Sequence, residues 1–183
     1  SVRKVRGGLE AAVRDEARRA RSGVVRGIRK QAPGGERLER PSPLTLASRQ
    51  LEGVRGQKAL QATGELLRAV TYVARGLEAF VGILGSARGK NGRSLAAVAR
   101  AQEDGAGPIV IAMTPAMRRY LGALKSRSGA QESGSKSSGA IVVTIPRRPF
   151  LTPAFRAAMR GAQQRLRDHV ARRYGHRPQH GAE

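Results

Sequence analysis

A chain of 183 residues with 39% hydrophobic content has the length for one domain with a modest core. Its 35 Lys plus Arg against 13 acidic residues give a net charge of +22, which attracts polyanions without choosing among nucleic acid, acidic protein and anionic membrane. Without Cys there is no disulfide framework, thiol nucleophile or Cys-based zinc site, and at 3% aromatic content stacking platforms for single-stranded nucleic acid are scarce.

No apolar run approaches the ~20 residues that span a bilayer, so no membrane-spanning segment is expected, and no membrane is among the expected partners. The basic start "SVRKVRGGLE" lacks the apolar centre of a signal peptide, and synthesis in the cytoplasm is expected. In residues 1–30, Val2, Val5, Leu9, Val13, Ala17, Ala20, Val24 and Ile28 recur at spacings of three and four, which predicts an amphipathic helix with one apolar stripe. Gly7, Gly8, Gly23 and Gly27 each weaken it by about 1 kcal/mol relative to Ala, so the helix depends on packing. "QAPGG" should end it.

Residues 31–57 mix prolines, charges and scattered leucines without a clean period. They read as an extended arm or long loop, with a short helix around Leu46 to Leu51. Residues 58–174 read as an α+β core. Its first part carries two β-rich runs, Leu67 to Ala74 and Leu77 to Leu84, separated by Arg75-Gly76, which suits a hairpin with Gly76 in the turn. Leu77, Ala79, Val81 and Ile83 would share one face.

After "GSARGKNGR", Ser94 to Gln102 has helical spacing and "PIVIAM" reads as a short strand. "TPAMRRYLGAL" offers Thr114 as N-cap, Pro115 at the first helical position and Met117, Leu121 and Leu124 on one face. Residues 125–139, rich in Ser and Gly, read as a mobile loop, and Ala140 to Ile145 as a final strand. Pro146 and Pro149 should end sheet pairing. Thr152-Pro153 repeats the helix-start device, with Phe155, Met159, Ala162, Leu166, Val170 and Tyr174 as one stripe and residues 175–183 as a disordered tail. The expected fold is α+β: a small antiparallel sheet of three to four strands flanked by a long N-terminal helix and a C-terminal helix, with a long extended arm.

Sites of chemistry are scarce. "GSARGK" places three residues between Gly85 and Gly89, where a P-loop has four, and Asn91 follows Lys90 where Ser or Thr would reach magnesium. His176 and His180 are separated by Pro178, which argues against a helix aiming both at a metal, and His169 stands apart. Asp15-Glu16 and Glu103-Asp104 are sequence neighbours that diverge on a helix and read as charge balance among arginines. Neither G-x-S-x-G nor H-E-x-x-H occurs. No enzyme, no cofactor and no metal are expected.

Four stretches in order carry a resemblance: "LQATGELLRAVTYVARGLEAFVGI", "AAVARAQEDG", "MTPAMRRYL" and "IPRRPFL". Together they resemble the phage virion morphogenesis family of Mu-like and P2-like tailed phages, which is similar to the tail-completion or neck proteins of lambda-like phages. Of the four, "IPRRPFL" is distinctive alone, and the order supplies the rest. Gln102 and Asp104 depart from the His and Phe usual in the second stretch, and Arg147 replaces a small residue in the fourth. The resemblance implies a structural virion protein, made in the host cytoplasm, that forms a ring at the neck or the head-proximal end of the tail. Such a ring would serve tail completion and head-tail joining.

The partners so implied are the chain itself, in a hexameric or dodecameric ring, and neighbouring connector, tail terminator or tail tube proteins, with DNA in the channel as a further contact. Heterologous ring interfaces favour arms that reach a neighbour. The candidate interface residues are Arg147, Arg148, Pro149, Phe150 and Leu151 at the corner and Leu44, Leu46 and Leu51 in the arm, with closure of the chain's own core as the competing role for the corner. The rival readings are a basic nucleic-acid-binding protein and an assembly chaperone absent from the mature particle.

Overall fold

The computed structural model describes residues 2–129 and 139–174. The expected loop over 130–138 and tail over 175–183 lie outside the described residues. Helix α1, Val2–Lys30, occupies the span its spacing predicts. Ala17, Ala20, Val24 and Ile28 of the stripe are buried, joined by Gly8, Ala12, Val25 and Gly27, whereas Val2 and Val5 are exposed. The buried face is therefore largely of small residues, which lets neighbouring backbones approach closely.

A short 3₁₀ turn, Pro33–Gly35, follows. The arm then turns back along its own chain: Leu38 is buried, and α2, Pro43–Leu51, starts on Ser42, whose Oγ accepts the Thr45 N–H at 3.2 Å. Gln31 fastens the end of α1 to the segment after α2. Its Nε2 donates to the carbonyls of Ile28 and Ala59 at 2.7 and 3.0 Å, and its Oε1 accepts the Ala59 N–H at 2.8 Å.

Helix α3, Glu65–Ala69, leaves Gly64 in the left-handed region and runs directly into β1, Val70–Arg75. Leu67 to Ala69 are thus helical rather than the start of a strand. β1 pairs antiparallel with β2, Glu78–Ile83, from Val70↔Ile83 to Arg75↔Glu78. The hairpin loop is Gly76-Leu77, and the positive φ of Gly76 is the conformation a type II′ turn needs at its first central position. Helix α4, Leu95–Asp104, is capped by Ser94. It leads to β3, Ala106–Ala112, and then α5, Pro115–Ser128, where Thr114 Oγ1 accepts the Met117 N–H as the sequence predicts. α5 runs past Lys125 to Ser128 and ends on left-handed Gly129, so the expected loop begins later.

β4, Ala140–Ile145, pairs antiparallel with β3. The expected single sheet of three to four strands is therefore corrected to two separate two-stranded sheets, β1-β2 and β3-β4. α4 and its preceding loop stand between β2 and β3 in the chain. Pro108 also withholds a ladder donor from β3, where the register shifts between Ala106 and Ile109.

The C-terminal stripe is likewise divided. α6, Leu151–Met159, and α7, Ala162–Tyr174, meet at Arg160-Gly161, with Gly161 at φ 72. Both helices pack on α1. Arg165 of α7 grips Glu16 of α1 with two parallel bonds, Nε to Oε1 at 2.8 Å and Nη2 to Oε2 at 2.7 Å. The core joins Val24, Val25 and Ile28 of α1 to Leu66, Val70, Phe150 and Ala154.

Candidate interaction cleft

The corner after β4 is built around Glu103, at the C-terminal end of α4. A carboxylate there opposes the helix dipole, and it finds its compensation elsewhere. Oε2 accepts the N–H groups of Phe150 and Leu151 at 2.9 and 3.0 Å, and Oε1 that of Thr152 at 2.8 Å. These are the orphan donors of α6. Thr152 is not the N-cap that Thr152-Pro153 predicts: Phe150 holds that position without a side-chain cap bond, and Glu103 caps from a distance. Burial raises the Glu103 pKa, but the Thr152 hydroxyl and the three backbone donors outweigh it and hold the carboxyl below its usual value.

The predicted corner residues divide by environment. Phe150 is 1% exposed and sits in the core, while Pro149 and Leu151 are half-buried. Arg147 is exposed, its Nε 3.5 Å from the carbonyl of Glu103. Arg148 is half-buried. Its N–H donates to the Gln102 carbonyl at 2.6 Å, its Nε to that of Glu39 at 3.0 Å and its Nη2 to that of Arg40 at 3.3 Å. The corner thus holds the arm against its own chain.

Leu44 is exposed on α2, and Leu46 and Leu51 are half-buried there. α2 packs on α5, where Ser48 Oγ and Tyr120 Oη are 2.7 Å apart. α2 also carries Arg49, which the sequence reading did not single out. Its Nη1 donates to the carbonyls of Gly56 and Lys58 at 2.6 and 3.0 Å. Burial, and then the nearby charge of Arg148, lower the Arg49 pKa. Between arm, α2, α4 and the end of β4 lies a cleft of about 790 Å³ lined by both arginines.

The segment 85–90 does not form a phosphate cradle. Arg88 Nη1 donates to the Gly85 carbonyl at 2.7 Å, and the Lys90 N–H is taken by Glu65 Oε1 at 3.1 Å. Among the described residues no His, Cys, Asp and Glu cluster could hold a metal. His169 lies within α7, and His176 and His180 lie outside the described residues. No described helix is long and apolar enough to cross a membrane.

Two cross-strand pairs leave apolar side chains in solvent. Val110 and Val142 are partners on β3 and β4, 69% and 66% exposed, and Val73 and Phe80, partners on β1 and β2, are exposed as well. Among the described residues each of these sheets has only two strands. No family model, curated protein or solved structure matches this chain.

Proposed function

We propose that this chain is a structural virion subunit of a tailed phage. It forms a ring at the neck or the head-proximal end of the tail, and serves tail completion and head-tail joining. The reading rests on the four resembling stretches, and the observation that carries it is how three of them interlock. Glu103 and Gln102 of the second bond the backbone of residues 148–152 in and after the fourth, while Leu66 and Val70 of the first share a core with Phe150. A set of motifs that forms one contiguous scaffold is what a shared fold requires. The exposed Val110-Val142 pair on the two-stranded ribbon suits a subunit whose neighbours cover it. In this reading the chain is not an enzyme, and most of its positive charge faces acidic neighbours in the stack.

Quantitative mass spectrometry of purified particles from cells that make the chain tests the proposal. About six or twelve copies per particle are expected of a cyclic ring. Particles without the chain would overturn it, and an assembly chaperone or a free nucleic-acid binder would then be separated by a salt-dependent DNA titration.

A further inference from the structure

Arg49 and Arg148 come to one cleft from α2 and from the exit of β4. Among the described residues their four side-chain bonds go to neutral carbonyl oxygens, those of Gly56, Lys58, Glu39 and Arg40. Among the described residues, neither guanidinium has a carboxylate within ion-pair distance. Donors remain on both forks, since a guanidinium carries five N–H groups. Arg40, Lys90 and Arg93 also line the cleft. Three carboxylates are in the same lining: Glu39, Glu52, whose Oε1 accepts from Ser48 Oγ and lies 3.5 Å from Tyr120 Oη, and Glu65, whose Oε1 accepts the Lys90 N–H. Among the described lining residues five cations thus face three carboxylates, an excess of positive charge, and of the five only Arg49 and Arg148 are half-buried.

Aliphatic side chains also line it, with Leu66 and Leu95 buried and Val98, Val143 and Ile145 half-buried. Among the described residues no Phe or Tyr lines it. A nucleic acid would bring phosphates for the arginines, but its bases would lack a stacking platform and would leave the aliphatic lining unused. A peptide supplies both chemistries, carboxylates for planar guanidinium forks and aliphatic side chains for the lining. We infer that this cleft binds a short acidic segment of a partner protein, with a carboxylate between Arg49 and Arg148 and an adjacent apolar side chain against Leu95 and Val98. The inference goes beyond the virion reading and stands whether or not the chain builds a ring.

The experiment is fluorescence anisotropy on the full chain at about 0.15 M salt, where diffuse surface attraction is screened beyond ~8 Å. The probes are a labelled peptide of alternating glutamate and leucine, its glutamine-leucine counterpart and an oligothymidylate of equal length. Arg49→Gln and Arg148→Gln are each expected to weaken the glutamate peptide by about tenfold or more. Arg156→Gln, on α6 away from the cleft, is expected to leave binding unchanged, and the glutamine peptide should not bind. Equal loss with Arg156→Gln would overturn the proposal in favour of diffuse charge. Tighter oligothymidylate binding that depends on Arg49 would overturn it in favour of a phosphodiester site. If the cleft variants lose helical circular dichroism, methyl resonances of Leu95, Val98 and Val143 in the unaltered chain decide: shifts with the glutamate peptide support the site, and their absence removes it.

Discussion

The Phe150 N–H donates to Glu103 Oε2 at 2.9 Å across 47 residues of sequence, so the end of one helix caps the beginning of another. Glu103→Ala leaves three donors of α6 without that acceptor and is expected to cost about 1–2 kcal/mol, in the range of a lost N-cap. Glu103→Gln keeps one acceptor oxygen and should cost less. Urea unfolding at neutral pH measures both.

The same carboxylate makes stability depend on acid. Its pKa is lower folded than unfolded, so its contribution is fully present above the unfolded value of about 4.3 and fades as pH falls through the folded value. Unfolding curves between neutral pH and about pH 3 should show the native chain losing stability relative to Glu103→Gln. A constant difference between the two would mean that the charge of Glu103 has no part in the cap.

Phe150→Ala should empty a site in contact with α1, α3 and β1. The expected loss is about 3–5 kcal/mol, while Phe150→Leu should lose less. A chain that folds normally but fails to assemble would place Phe150 at an interface instead. Its burial among Val24, Ile28 and Val70 argues for the first outcome.

Gly34 and Gly53 both have positive φ, yet they should respond differently to Ala. At Gly34 a methyl group would strike the carbonyl of Pro153, in the first turn of α6. At Gly53 it would meet open space. Gly53→Ala should cost about 1–2 kcal/mol for the left-handed backbone alone. Gly34→Ala should cost more and shift the proteolytic sensitivity of α6, because α6 or the 3₁₀ turn must move.

If neighbouring subunits cover the β3-β4 ribbon, Val110→Thr combined with Val142→Thr should leave folding within about 0.5 kcal/mol and weaken self-association. Sedimentation velocity over a range of concentrations reads this directly. Unchanged association would take the ribbon out of the ring contact.

What the sequence revealed were features written in local chemistry. The three-and-four spacing of α1, the Thr114-Pro115 start and the bounds of β4 all depend on near neighbours. What it concealed depends on distant ones. Thr152-Pro153 looks like a second helix start, but the donors there are already taken by Glu103. Leu67 to Ala69 have the composition of a strand and become helical after Gly64 turns the chain. The acidic "QED" at the end of α4 is the visible clue that α4 takes part in the corner, since negative charge is disfavoured at a helix C-terminus unless a partner compensates it. Arg49 gave no such sign among so many arginines.

The grip of Arg165 on Glu16 spans 149 residues, and it has a consequence for the chain as it is made. At roughly 5–20 residues per second of synthesis, the small-residue face of α1 waits on the order of ten seconds before α6 and α7 emerge to cover it. Throughout that interval the nascent chain carries a sticky, highly cationic helix without its mate. Prematurely terminated products lacking α6 and α7 should therefore aggregate or draw chaperones, even though every residue of α1 is intact.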